Sequence, residues 1–155
     1  MAAARWFTRR LCGQSYLRDF INALSDHGVN YHWRISYDTP GGQAVQLFQR
    51  NVETFWKPVL WFVKGKYEGP WVGDKARSNT NDNDKRFHHW GQSESGMSDL
   101  VLRMTRPGEL ILDPFMGGGT TGIVALDLGR RFIDIERDAE AFETARKRIH
   151  GKHAS

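Results

Sequence analysis

The stretch Asp113-Pro-Phe-Met-Gly-Gly-Gly-Thr-Thr121 constrains this chain more than any other. It follows an apolar run, Glu109-Leu-Ile-Leu-Asp113, that reads as a strand, and it opens a segment from Thr120 to Leu128 that reads as a helix ended by Gly129. Arg131-Phe-Ile-Asp-Ile-Glu136 is a second strand. Asp138 to Ile149 is a second helix, with an acid at its start and bases at its end as the helix dipole prefers. Strand, glycine loop, helix, strand, helix is the alternation of a parallel α/β sheet.

A strand that runs through a glycine turn into a helix gathers backbone N–H groups and a positive helix end at one spot. Gly117, Gly118 and Gly119 let the main chain approach a ligand closely, because no Cβ intervenes. Glu136 ends the next strand roughly 20 residues on, where a carboxylate can accept hydrogen bonds from ribose hydroxyls. The order describes a nucleoside-binding site. A glycine turn that only closes a strand–helix corner is the plain alternative, and Glu136 argues against it. The pattern is not the Gly-x-Gly-x-x-Gly of dinucleotide enzymes, and it lacks the lysine of a P-loop.

Upstream, Tyr16 to Leu24 has helical apolar spacing and stops near His27-Gly28, and Val29 to Ile35 alternates as a strand. Thr39 to Gly42 is a turn, Val45 to Phe48 a short strand, and Trp56 to Val63 a buried strand closed by Lys64-Gly65. From Lys66 to about Gly96 the chain turns polar, a length of loop that is usually functional or disordered. Ser98 to Arg106 reads as a helix with Ser98 as a possible cap and Pro107-Gly108 as its stop. Residues 1–15 read as a ragged or non-native segment; their basic, acid-free composition also admits a transit peptide. Residues 151–155 are a tail.

With 155 residues, 39% of them hydrophobic, the chain suffices for one core, and no apolar run approaches the roughly 20 residues that cross a bilayer. Cys12 is the only cysteine, which excludes an internal disulfide and fits a reducing, cytoplasmic compartment. No metal site is expected: His88 and His89 are adjacent and, even with Cys12, lack the spacing of zinc ligands. The net charge of +4 permits a polyanionic partner, and several of the six tryptophans sit among basic and turn residues, where aromatics can stack on bases.

Asp113-Pro-Phe-Met-Gly-Gly-Gly-Thr-Thr121 resembles the motif that binds S-adenosylmethionine in DNA N6-adenine and N4-cytosine methyltransferases. Gly129-Arg-Arg-Phe-Ile-Asp-Ile-Glu136, Ala139 to Ile149, and His88-His-Trp-Gly-Gln-Ser-Glu-Ser-Gly96 with Pro107 to Asp113 resemble that family too. The likeness covers about residues 16–150 and implies a Rossmann-like methyltransferase fold, a partial parallel sheet flanked by helices. It implies that Phe115 packs against the cofactor and that Gly117 and Gly119 present backbone groups to its amino-acid end. It further implies that Asp113 organises that end, that Thr120 and Thr121 cap the helix or bond the carboxylate, and that Glu136 holds the ribose. His89, Gln92 and Ser93 would complete the pocket. Simpler roles are turn residue for Asp113, N-cap for the threonines and solvated loop residue for the histidines. Asp134 stands where related chains more often carry glycine.

Amino-methylation in this family needs an Asp/Asn/Ser-Pro-Pro-aromatic tetrapeptide that grips the target amino group and stacks on the flipped base. The chain contains none, so no catalytic residue is assigned; Asp38-Thr-Pro-Gly41 is its nearest imitation and reads as a turn. In the β-type order of the family that tetrapeptide lies upstream of the cofactor loop. The expectation is therefore a carboxyl-terminal fragment or degenerate copy, inactive alone, with a complementing amino-terminal part or a second copy as a possible partner. The resemblance also places a DNA-facing insert at residues 64–96. There Lys75, Arg77, Lys85 and Arg86 would meet phosphates with Trp71 or Trp90 near a base, although a solvated loop explains the stretch as well. The competing readings are a non-catalytic remnant that binds S-adenosylmethionine or DNA, and a methyltransferase for RNA or small molecules.

Overall fold

A computed structural model describes residues 14–40, 45–80, 82 and 92–153. The chain forms two compact units, Met1–Ala76 and Arg77–Ser155.

In the first unit, helix α1 (Leu17–Ser25) follows a short 3-10 turn. Leu17, Phe20, Ile21 and Leu24 recur at the i, i+3, i+4, i+7 spacing that makes one apolar face. That face packs with Val29 on the buried Leu60 and Phe62. Strands β1 (Asn30–Asp38) and β4 (Trp56–Val63) pair antiparallel from Asn30↔Val63 to Asp38↔Trp56, with an irregularity between Tyr31 and Trp33. Residues Pro58 to Val63 are all buried, which is why this strand reads as a continuous apolar run. The sequence marks the end of β1 at Ile35, but the ladder continues to Asp38 because Ile35 and Tyr37 both turn into the core. β2 (Val45–Leu47) and β3 (Val52–Thr54) make a small hairpin, and Asn51 between them adopts φ 50°, a left-handed conformation that asparagine tolerates. β5 (Lys75–Arg77) flanks β1 and breaks the long polar stretch.

The second unit carries helix α2 (Glu94–Met104), β6 (Leu110–Asp113), α3 (Thr120–Asp127), β7 (Arg131–Asp134) and α4 (Ala139–His153). β6 and β7 pair in parallel, from Leu110↔Arg131 to Asp113↔Asp134. This is the strand–loop–helix–strand–helix order read from the sequence. The structure adopts the Rossmann-like methyltransferase fold in part, a parallel strand pair with helices against it. One core gathers Met116, Ile123, Ala145 and Ile149 with Phe132; another joins Met97, Val101 and Val124 with Ile111 and Leu128. Among the described residues no helix is long and apolar enough to cross a membrane.

Helix α2 starts four residues before the Ser98 expected from the sequence. Its cap is the buried Ser93, whose hydroxyl accepts from the Gly96 N–H at 3.0 Å. Starting there turns Met97, Leu100 and Val101 inward together, a burial that a start at Ser98 would forgo. Replacing Ser93 with alanine is expected to lower the unfolding free energy by about 1 kcal/mol, and Ser98→Ala by less than about 0.5 kcal/mol. Urea titrations of the two variants check this; equal losses would return the cap to Ser98.

Candidate cofactor site

Past Asp113 and Asp134 the two parallel strands stay joined by the Ile135 N–H donating to the Asp113 carbonyl and the Met116 N–H donating to the Ile135 carbonyl, both at 2.9 Å. The loop therefore leaves β6 held against the continuation of β7. Gly117 (φ 51°) and Gly119 (φ 74°) take left-handed backbone conformations that favour glycine. A Cβ on Gly119 would also fall 3.1 Å from both Ala145 Cβ and Ile149 Cδ1, so this glycine lets the loop seat directly on α4.

Glu136 locks the arrangement. Its Oε2 accepts from the Gly117 N–H at 2.9 Å and its Oε1 from the Asp138 N–H at 3.0 Å. These backbone bonds, Asp138 first and Gly117 second, hold its pKa below the ordinary carboxylate value. Each oxygen has a further lone pair for an outside donor. Asp113 Oδ1 accepts from the Phe115 N–H at 3.0 Å, a tight side-chain turn that leaves the Phe115 ring 68% exposed.

Asp113, Phe115, Gly117, Gly119 and Glu136 thus converge at the carboxyl end of the strand pair. The remaining site residues read from the sequence are placed differently. Gly117 and Gly119 spend their N–H groups inside the protein, on Glu136 and on the Met116 carbonyl (3.0 Å). Neither Thr120 nor Thr121 caps α3, because its N-cap is Gly119 with no side-chain bond. Both threonines are buried. Thr120 Oγ1 donates to the Gln92 carbonyl at 3.5 Å, and Thr121 Oγ1 lies 3.9 Å from Met97 Sδ. The first intrahelical bond of α3 is Ile123 N–H to the Gly119 carbonyl (3.1 Å), so the N–H groups of Thr120, Thr121 and Gly122 precede it and remain for another acceptor. Gln92 meets the loop through its backbone, and Ser93 is the α2 cap. Lys75 and Arg77 lie on β5, where Lys75 pairs with Asp38 at 3.1 Å. His89, Lys85 and Arg86 fall outside the described residues, as do Cys12, His88 and Trp90.

Three residues have parts in the structure that the sequence reading did not give them. Arg148, nearly buried on α4, donates to the Gly118 carbonyl at 2.6 Å and to Thr120 Oγ1 at 3.3 Å, and pairs with Glu94 Oε1 at 2.6 Å. It ties the glycine loop to the first turn of α2. An arginine in a basic helix end gives no sign of such a role. The other two are Asp134 and Gly122. Both carboxyl oxygens of Asp134 are buried and accept no hydrogen bond among the described residues. A Cβ on Gly122 would lie 2.6 Å from Asp134 Oδ2 and 2.9 Å from Phe132 Cε2, so Gly122 makes the room that the acid occupies.

Burial, and secondly the Asp113 charge opposite it in the strand register, push the Asp134 pKa up from 3.8 to about 7. Between about pH 4 and about pH 7 the folded protein holds a proton that the unfolded chain has released, so stability falls as pH rises through that window. Asp134→Asn removes the ionisation. The variant is expected to gain on the parent between about pH 5 and about pH 8, by about 4 °C or more in thermal midpoint for each kcal/mol that the charge costs. Thermal melts at both pH values measure this; a pH-independent difference would count against a buried, protonated Asp134.

Known proteins share this segment. Residues 93–147 match the DNA methylase family described for N6 and N4 methylation. The chain is 44% identical over 66 residues to the Type II methyltransferase M2.DpnII of Streptococcus pneumoniae, covering 43% of this chain and 25% of that protein. It is 42% identical over 65 residues to the Type II methyltransferase M.HinfI of Haemophilus influenzae, covering 42% of this chain and 18% of that one. The chain thus spans a quarter or less of the length of these relatives. Among solved structures, M1.HpyAVI in complex with SAM superposes with a TM-score of 0.74 at 26% identity, covering 89% of this chain and 71% of that chain. The cytosine-N4-specific PvuII DNA methyltransferase shares the fold, with a TM-score of 0.63 at 15% identity over 90% of this chain and 64% of that chain. Residues 93–147, the segment that carries the glycine loop, are thus similar to the N6/N4 DNA methylase family.

Proposed function

We propose that this chain supplies the S-adenosylmethionine-binding part of a site-specific DNA methyltransferase of the restriction–modification type. The reaction moves a methyl group to the exocyclic amine of adenine (N6) or cytosine (N4). The observation that carries the reading is the Glu136–Gly117 bond, which sets a carboxylate, an exposed aromatic ring and the amino end of α3 around one strand terminus. These groups fit the cofactor. Glu136 would accept from the ribose hydroxyls, Phe115 would cover an apolar face, and the leading N–H groups of α3 would meet the carboxylate. Asp113 shapes the loop, and Gln92 and Ser93 shape its rim through backbone and cap. His89 completes the rim in this reading. S-adenosylmethionine brings the electrophilic methyl group; the chain's part is to bind and aim it.

In this reading residues 16–150 are the methylase segment, and Lys75, Arg77, Lys85 and Arg86 face DNA phosphates. Residues 1–155 contain no Pro-Pro-aromatic tetrapeptide, so the grip on the target amine comes from outside them. The second unit favours a complementing part. Leu110, Leu112, Ile133 and Ile135 alternate onto one face of the β6–β7 pair and each is about half exposed, whereas parallel sheets are normally covered on both faces. A second copy is the other candidate cover. The non-catalytic reading, a remnant that binds the cofactor or DNA, is favoured by the missing tetrapeptide alone.

Calorimetry with S-adenosylhomocysteine is expected to give a binding heat for the parent chain that Glu136→Ala loses at least about tenfold in affinity, the scale of one charge-assisted bond. Indistinguishable heats would refute the pocket. Methyl transfer from labelled S-adenosylmethionine to DNA by the purified chain is expected to be absent. Turnover would show that the amine grip lies within these residues.

A further inference from the structure

The glycine loop contains one peptide whose orientation its own residues do not decide. Gly118 and Gly119 are both buried, and Gly119 has φ 74°. Glycine populates positive and negative φ about equally, so its own conformational preference does not stop the Gly118–Gly119 peptide from turning over. A side chain cannot fix it either, because a Cβ on Gly119 would fall 3.1 Å from both Ala145 Cβ and Ile149 Cδ1. The choice is made from outside. The Gly119 N–H donates to the Met116 carbonyl at 3.0 Å, and the Gly118 carbonyl accepts from Arg148 Nη1 at 2.6 Å.

Arg148 is itself held in place. It is nearly buried, and its Nη2 donates to Glu94 Oε1 at 2.6 Å, so the guanidinium is gripped from α2 while it grips the loop. Nη1 also donates to Thr120 Oγ1 at 3.3 Å, and that hydroxyl donates on to the Gln92 carbonyl at 3.5 Å. The arginine does not act by adding net charge. Lys152 bridges Glu94 and Asp127, so two cations face two acids. Its effect lies in the dipoles it turns toward itself. The Gly118 carbonyl comes just before the N–H groups of Thr120, Thr121 and Gly122, which precede the first intrahelical bond of α3. Turned over, that carbonyl would point its negative end away from α4 and weaken the positive potential that these donors make.

From this geometry we infer that Arg148 is a positioning residue for the cofactor's carboxylate. By holding the Gly118 carbonyl and the Thr120 hydroxyl on the α4 side, it selects the loop conformation in which the amino end of α3 receives an anion. The inference rests on the S-adenosylmethionine reading above and deepens it. It assigns the preference for a carboxylate-bearing ligand to a residue that acts through the loop. Arg148→Met leaves Glu94 paired with Lys152, so the substitution frees the loop peptide without stranding an acid.

The test is calorimetry on the full chain with S-adenosylhomocysteine and its decarboxylated analogue, which differ only in the carboxylate. The parent is expected to bind S-adenosylhomocysteine about tenfold more tightly than the analogue, the scale of one charge-assisted bond. In Arg148→Met that preference is expected to disappear, through a loss confined to the carboxylate-bearing ligand. Arg148→Lys keeps the charge beside Glu94 and loses the forked reach. Its preference is expected to fall between the two, and it carries the test if the methionine variant does not fold. No preference in the parent overturns the positioning role and leaves the cofactor pocket standing. So does a preference that Arg148→Met, or Arg148→Lys in its place, retains in full because both ligands weaken alike or not at all. Absence of S-adenosylhomocysteine binding to the parent overturns both.

Discussion

The bond from the Gly117 N–H to Glu136 is the contact on which the second unit's architecture turns. A glycine-rich loop has the largest backbone entropy to lose on ordering, and its own side chains contribute nothing to hold it. The carboxylate supplies that hold from the next strand. It accepts from Gly117 on one side and from Asp138, at the start of α4, on the other. One side chain therefore sets the loop, the end of β7 and the entry to α4 together. Its lowered pKa keeps it ionised, and so able to accept, throughout the neutral range.

Around that contact the helices close by charge as much as by packing. Arg148 reaches from α4 to the Gly118 carbonyl and to Glu94, and Lys152 joins Glu94 (3.0 Å) to Asp127 (2.7 Å). Glu94 sits in the first turn of α2, where the helix dipole already favours an acid. The Lys152 pairs are substantially exposed and contribute little each. The Arg148 pair is nearly buried on its cationic side and bonds a main-chain carbonyl as well, which makes it a determinant of loop position. Arg130 plays the same part at the opposite end. Its buried guanidinium donates to the Thr105 hydroxyl (3.1 Å) and carbonyl (2.8 Å), stapling the end of α2 to the start of β7.

Local chemistry made most of this unit legible. Glycines 117 and 119, the acid at 136 and the apolar runs at 110–112 and 131–133 each state a local requirement, and the strands and helices follow to within a few residues. Non-local contacts were hidden. The start of α2 depends on Met97 and Val101 meeting Val124, which no window around Ser98 reveals. The threonines after the loop look like caps because their residue type suits caps; the structure buries them because α3 is apolar all round, with residues 120–125 enclosed. The edge-to-face contact of His32 with Trp61 was hidden for the same reason, since the two rings lie on separate strands that only the β1–β4 register brings together.

Asp134 shows how such a fold absorbs a residue that local rules disfavour. An acid there adds volume and charge to a tight strand–helix contact. The volume is accommodated by Gly122, whose missing Cβ would otherwise meet the carboxylate at 2.6 Å. Among the described residues no partner accommodates the charge, so protonation takes that role and the cost appears at high pH. The two positions are therefore coupled, although not interchangeably. Shrinking residue 134 would relieve the buried acid, yet Gly122 would still be confined by Ile149 Cδ1 and Phe132 Cε2, each 2.9 Å from its virtual Cβ. Gly122 is required by the α3–α4–β7 packing itself, and Asp134 occupies space that this packing had already left open.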